Sequence, residues 1–241
     1  MCLPLDAYAA GAERFIPDCA GSVALAHAHV ARVEQSGVLM LGDGRAVVLE
    51  GIRLPQERTL ADGALTALRG VALSGTVSFT AGQPQTDRYG RLRAQGFGGQ
   101  WLQAALLEQG LARVAISPDR DECFPDLYEA EARARARHAG LWALAAYRVR
   151  APDDVKDAAG SFQLVEGQVG NVGRADGRIF IDFGGRQLFS AVIASGDRRA
   201  FRDFDLDGLP AHRIRIRGIV QTYRGRPEIA LSNPAQIEVL N

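Results

Sequence analysis

Apolar and polar residues alternate from 22 to 33, where Val23, Leu25, His27 and His29 are separated by small residues, and this period of two predicts a half-buried strand. Strand patterns follow at 37–41 and 45–52, parted by the turn signal Gly42-Asp43-Gly44, which together give the opening meander of a small barrel. The period then lengthens. Leu65, Leu68, Val71 and Ala72 fall on one face of a helix with Asp62 as its expected cap and Gly75 as its terminator. Strands at 77–80 and 91–97 come next, then a helix over about 100–109 ended by Gly110. A third helix starts near Pro125-Asp126, sets Leu127, Ala130 and Ala134 on one side, and stops at Gly140.

The stretch 150–161 has Pro152, several aspartates and no periodicity, so it reads as a linker. Beyond it, strands are expected at 162–172, 178–183, 187–193, 213–223 and 227–231, with a short helix between 196 and 204. Five strands with one helix between the third and fourth is the order of an OB-fold barrel. The expected fold is therefore mainly β with α (α+β): two tandem OB-fold-like five-stranded barrels, the first with three helices. The expected divisions are a leader at 1–21, a first barrel at 22–150, the linker at 151–161 and a second barrel at 162–241.

Charge changes this picture little. Lys+Arg and Asp+Glu both number 28, so any attraction to nucleic acid must come from a local patch. Lys156 is the only lysine, a bias that suits a GC-rich coding genome as well as bidentate phosphate binding. Cys2, Cys19 and Cys123 are odd in number and hold no CxxC pair, so neither a disulfide scaffold nor a structural zinc site is expected; export would permit Cys2 to pair with Cys19. Residues 1–14 carry Asp6 and Glu13 without an apolar run, which speaks against a signal peptide or spanning helix in the chain as given. The expected compartment is a bacterial cytoplasm, or a periplasm if a leader is missing. His27 and His29 share a strand face with Cys19 nearby, but no fourth ligand is spaced to join them, so they read as structural.

Several motifs occur in a telling order: the meander, Gly51-Ile52-Arg53-Leu54-Pro55, a helix, Asp87-Arg88-Tyr89-Gly90-Arg91, the Leu-x-x-Gly-Leu-Ala-Arg-Val run at 107–114, and a last helix closing in Gly140-Leu141-Trp142. Over about 22–144 this order resembles the staphylococcal nuclease-like, or thermonuclease, family. The resemblance implies a five-stranded barrel that hydrolyses phosphodiester bonds of DNA or RNA with one calcium ion, held by two aspartates and a backbone carbonyl, beside two arginines and a glutamate. The logic of that set is general. A hard cation takes oxygen ligands and polarises the phosphate, arginines neutralise charge on phosphoryl oxygens, and the glutamate activates or orients water.

Carried onto this chain, the set is mostly replaced. The implied metal aspartates fall at Arg53 and near Ser36, the glutamate at Gln56 and the first arginine at Val48, so that Arg91 alone keeps a catalytic position. Arg88 and Tyr89 match positions that approach a nucleotide phosphate, and the tyrosines expected after the strand that follows Gly110-Leu111-Ala112 fall at Ile116 and Ser117. A displaced site could in principle use Glu57, Glu34 or Asp43. Arg53 opposes this, since two like unit charges roughly 4 Å apart repel by about 4 kcal/mol at an effective dielectric near 20. If Arg53 and Arg91 converge, the pocket favours anions instead; otherwise Arg53 faces solvent and Arg91 pairs with Asp87 or Glu50.

In the second barrel, Arg213, Arg215 and Arg217 share a strand face, and Arg224 and Arg226 flank Tyr223. Arginines around a ring can grip phosphates while the ring stacks on a base, although Asp203, Asp205 and Asp207 are placed to cover them. The expected anion or nucleic-acid contacts are thus Arg53, Arg88, Tyr89, Arg91, Arg215, Tyr223, Arg224 and Arg226, with no metal ligands. Three readings stand open. The favoured one is a noncatalytic nuclease-like binding protein, a pseudoenzyme, that contacts nucleic acid or a protein partner and needs no cofactor. The others are an active phosphodiester hydrolase using Ca2+, and a structural or assembly module. No membrane-spanning segment is expected.

Overall fold

The structure, a computed structural model, describes residues 17–120, 122–183 and 189–240. The chain divides into two compact units, the first built from 1–114 with 122–144 and the second from 115–121 with 145–241.

In the first unit the alternating segment forms β1 (Ser22–Val33), followed by β2 (Leu39–Leu41), β3 (Ala46–Leu49) and the short β4 (Ile52–Arg53). Helix α1 (Arg58–Ala72) leads to β5 (Thr76–Ala81) and β6 (Leu92–Phe97), then α2 (Leu102–Glu108), β7 (Arg113–Val114) and α3 (Phe124–Ala136). The strands close into a barrel in the order β1-β2-β3-β6-β5. All neighbours are antiparallel except β3 and β6, which run parallel with Val47 opposite Leu92 and Leu49 opposite Ala94. Leu39, Val47, Val77 and Phe79 fill the interior, while Leu65 and Leu68 of α1, Leu107 of α2 and Leu127 of α3 are buried by the helices that cover it.

Several sequence expectations need correction. Helix α1 begins one turn before Asp62: Glu57 is the cap, its carboxylate accepting hydrogen bonds from the backbone N–H groups of Thr59 and Leu60. The alternation of β1 is broken by a bulge between Leu25 and Ala28, where His27 has φ 50, so the period-two argument for His27 and His29 sharing a face does not hold. Cys19 is not available to Cys2, which lies outside the described residues; it forms a disulfide with Cys123, 104 residues away. That bond ties the lead-in to β1 to the residue that precedes α3.

The second unit holds β8 (Phe162–Ala175), β9 (Arg178–Phe183), β10 (Ser190–Ile193), β11 (Arg213–Tyr223), β12 (Arg226–Leu231) and β13 (Ile237–Leu240). They form a six-stranded sheet in the order β12-β10-β9-β8-β11-β13, with β12 also pairing to β11. Strands β10 and β12 are parallel, Ala191 lying opposite Ile229. The expected helix between 196 and 204 is one 3-10 turn, Arg198–Phe201, and the expected strand start at Gln187 lies outside the described residues. The stretch that reads as a linker instead packs: Val155 and Ala158 are buried in this unit's core with Val165, Ile181, Ile216 and Ile229. The proline and aspartates of this stretch hide an anchor whose apolar residues are too few to show a period.

Because the disulfide closes a loop of 104 residues, the chain-entropy argument gives it about 4 to 5 kcal/mol of stability. Reduction, or Cys123→Ser, is expected to lower the urea midpoint of the first unit's unfolding and to leave a smaller effect on the second unit's transition.

Candidate functional site

A cavity of about 560 Å³ opens on the first unit between the β2 approach, the end of β3, the turn after β4 and α1. It is lined by Ser36, Val48, Arg53, Gln56 and Arg91 together with Leu49, Leu54, Leu65 and Leu68. All five positions to which the nuclease set transfers are therefore brought to one cavity. The described lining residues include two arginines and no aspartate, glutamate, histidine or cysteine. No group of three or more such side chains suited to a metal occurs among the described residues.

A buried polar corner places this lining. Glu50, immediately after β3, pairs with Arg93 of β6 at 2.7 Å, and both side chains are almost fully buried. The backbone carbonyl of Glu50 accepts from the side-chain amides of Gln95 at 3.3 Å and Gln103 at 3.2 Å. Gly51 then turns the chain at φ 85, and a Cβ there would stand 2.8 Å from Leu127. With the corner held, Ile52 and Arg53 pair with Val114 and Arg113 of β7, and the following residues cross the cavity to the Glu57 cap.

Arg91 reaches the cavity from the start of β6. Its guanidinium donates to Asp87 at 2.7 Å, and its backbone N–H donates to the same carboxylate at 3.0 Å. Asp87 also accepts from the Tyr89 N–H at 2.9 Å, so one carboxylate organises the whole turn. Burial pushes the Asp87 carboxyl up, but the Arg91 side chain and the two backbone donors outweigh it and hold the group below its ordinary value. Of the two partners foreseen for Arg91, Asp87 is the one used; Glu50 is taken by Arg93. Arg88 and Tyr89 do not line the cavity. Arg88 donates to the Tyr89 hydroxyl at 2.7 Å, and the exposed Tyr89 ring lies beneath both Arg88 and Arg91, 4.8 and 5.1 Å from their guanidinium carbons.

The acids considered as replacements are committed elsewhere. Glu57 caps α1, and the N–H groups of Leu60 and Thr59 lower its pKa. Asp43 binds Arg45 at 2.5 Å and Glu34 binds Arg32 at 3.3 Å. Ile116 and Ser117, where base-stacking tyrosines are implied, belong to the second unit's segment 115–121, in which Asn233 donates to the carbonyls of Ser117 and Arg120.

In the second unit the expected arginine face is an ion-pair ladder. Arg213 and Arg215 both bind Glu166, at 2.8 and 2.6 Å, Arg215 also reaches Glu238 at 3.3 Å, and Arg217 binds Glu238. The covering acids are thus Glu166 of β8 and Glu238 of β13. Asp207 pairs with Arg174, Asp203 with Arg202, and Asp205 accepts from the Gly208 N–H. Arg215 is removed from the exposed candidates by this pairing. Tyr223, Arg224 and Arg226 do share a cleft of about 610 Å³, joined by Phe180, Asp182, Ser190 and Glu228. Phe180 went unnoticed in the sequence because its contribution depends on β9 lying beside the β11–β12 hairpin's neighbour, a pairing no local pattern encodes.

A closed five-stranded barrel wrapped by three helices, with its cavity at the turn after β4, defines the nuclease-like OB class. Residues 46–144 match the family profile described as staphylococcal nuclease homologue, and this part of the chain is a staphylococcal nuclease-like domain. No curated protein matches the chain. None of the described helices is long and apolar enough to cross a membrane.

The depressed Asp87 pKa has a defined consequence. A carboxyl with a folded pKa below its unfolded value of about 3.9 stabilises the fold above that pH, and the contribution is lost as pH falls through the folded value. Carboxyl NMR titration is expected to place Asp87 below the unfolded value in the parent protein and to move it up in Arg91→Ala.

Proposed function

We propose that the nuclease-like unit is noncatalytic and that its cavity receives an anionic group, the phosphate of a nucleic acid, in place of a calcium ion. The observation that carries this reading is the commitment of the described acids that could stand in for the missing ligands: Glu57 to a helix cap, Asp43 and Glu34 to surface arginines, Glu50 to Arg93. Calcium takes oxygen ligands with carboxylates among them. Ser36 and Gln56 offer neutral oxygens only, and Arg53 and Arg91 bring positive charge to the same lining, so the residues present do not fit the cation.

The same lining suits a phosphate. Guanidinium groups donate in a planar fork that matches phosphoryl oxygens, and an apolar floor of Leu49, Leu65 and Leu68 lowers the local dielectric that strengthens such contacts. The Asp87 pair fixes the orientation of Arg91 while offsetting part of its charge, so the site favours binding of modest strength. The second unit is read as an OB-type binding module as well, a reading supported by β10 running parallel to β12 and by β11 pairing with both β8 and β12. The Cys19–Cys123 disulfide supports an oxidising compartment over a reducing cytoplasm.

Calorimetric titration with Ca2+ and digestion of single-stranded DNA and RNA are expected to show neither binding nor cleavage by the purified chain. Cleavage that disappears in Arg91→Ala would overturn the noncatalytic reading. Oligonucleotide affinity is expected to fall with salt, and Arg53→Ala and Arg91→Ala are each expected to weaken it about three- to tenfold at low salt. Unchanged affinity in both variants would remove the phosphate site.

A further inference from the structure

We propose that the second unit carries its own site for single-stranded nucleic acid, in the cleft where Tyr223 presents a stacking ring and Arg224 and Arg226 meet the phosphate. The inference concerns a different unit from the nuclease-like cavity and stands on different residues.

The hairpin tip is built in a fixed geometry. Arg224 and Gly225 both have positive φ, 49 and 78, which defines the tight turn whose twist matches the two flanking strands. Tyr223 and Arg226 are paired across it as the last register position of β11 and β12. An arginine in the left-handed region is uncommon, and at this tip it projects from the turn with Arg226 beside the ring. Neither Arg224 nor Arg226 has a carboxylate partner among the described residues, in contrast to Arg213, Arg215 and Arg217 one strand-length away.

Behind the tip, aromatic and guanidinium groups alternate. The guanidinium carbon of Arg178 lies 5.1 Å from the Phe180 ring centre and 4.8 Å from that of Tyr223, and Glu228 holds it in place at 3.1 and 3.2 Å. Arg224 lies 5.3 Å from the Tyr223 ring centre. Arg178 is therefore a braced wedge, whereas Arg224 is held only by the ring and can yield it to another flat group. A nucleobase is such a group, and planar guanidinium and aromatic surfaces both stack on bases.

Polarity runs along the cleft and sets the orientation. At the tip stand two cations with no carboxylate partner among the described residues. Toward β9 and β10 stands Asp182, nearly buried and accepting the Ser190 hydroxyl at 2.6 Å. A phosphate is attracted to the first end and repelled from the second, where a carboxylate can accept the amino group of a base instead. Duplex DNA cannot use this arrangement, because its bases are stacked and paired. The occupant that satisfies ring, cations and carboxylate together is a single strand with unstacked bases.

The test is fluorescence anisotropy of labelled oligothymidine, oligocytidine and a matched duplex with the full chain over a range of salt. The single strands are expected to bind more tightly than the duplex. Tyr223→Ala is expected to weaken single-strand binding about tenfold while Tyr223→Phe keeps it, and Arg226→Gln is expected to reduce the salt slope by about 0.7. Asp182→Asn is expected to change the ratio of oligocytidine to oligothymidine affinity. Equal affinity for duplex and single strand, or no effect of Tyr223→Ala on a protein whose thermal unfolding is unchanged, would overturn the proposal. Loss of binding in Arg91→Ala with none in Tyr223→Ala would leave the nuclease-like cavity as the site and sink this one; the converse would sink the cavity instead. Absence of oligonucleotide binding altogether would overturn both and point to a protein partner.

Discussion

The first unit depends on the buried pair of Glu50 and Arg93. Two charges withdrawn from water are tolerated only when each is paired and hydrogen-bonded, and losing one partner of such a pair costs about 3 to 5 kcal/mol. Here the pair sits at 2.7 Å where β3 gives way to the site-forming turn, and amide groups of Gln95 and Gln103 hold the adjacent carbonyl. Trp101 in turn donates to Gln95, and the Gly96 N–H donates to Gln103, so the network reaches across β6 into α2. Its role is geometric. An apolar corner of similar volume could be as stable, but it would not fix the direction in which Gly51 releases the chain toward Arg53 and Gln56. The cavity inherits its shape from a polar network that lies outside it.

Arginine serves two opposite purposes in this chain, and only its surroundings separate them. In the second unit Glu166 and Glu238 absorb three arginines of β11 into a ladder that joins β8, β11 and β13. The side chain of Arg217 is wholly buried there, which makes the ladder part of the folded framework. At the other end of β11 Arg224 and Arg226 line a cleft and have no carboxylate partner among the described residues. A count of arginines along the strand could not tell the two apart, because the carboxylates that decide the matter arrive from strands distant in sequence.

That distinction marks what was legible in the sequence. The limits of β1, β9 and β11 follow from alternation alone, and the convergence of Ser36, Val48, Arg53, Gln56 and Arg91 follows from motif order. Local competition was harder to read. Asp62 is a good capping residue, but Glu57 stands where the chain leaves the extended region and captures two N–H groups, so the helix starts there. The bulge at His27 cannot be seen from a strand's own pattern, since it answers the register of β5. Long-range choices were hardest: the Cys19–Cys123 bond spans 104 residues, and with an odd number of cysteines spacing alone favours no pairing.

The placement of framework and cavity bears on how a nuclease-like fold would persist under the proposed noncatalytic reading. Carboxylates gathered to hold a cation repel one another when the cation is absent, so under that reading Ser36, Gln56 and Arg53 in their place would remove a destabilising element. The local framework rests on other acids: the helix start uses Glu57, the corner uses Glu50, and the turn before β6 uses Asp87. Each of these acids serves a backbone or guanidinium partner, and none is among the described residues that line the cavity. Under the proposed anion-binding role Arg91 serves both framework and cavity, since it closes the Asp87 turn and also lines the cavity. Stability alone would preserve the pairing of Arg91 with Asp87, and a phosphate site could be built on it by changing only the residues opposite.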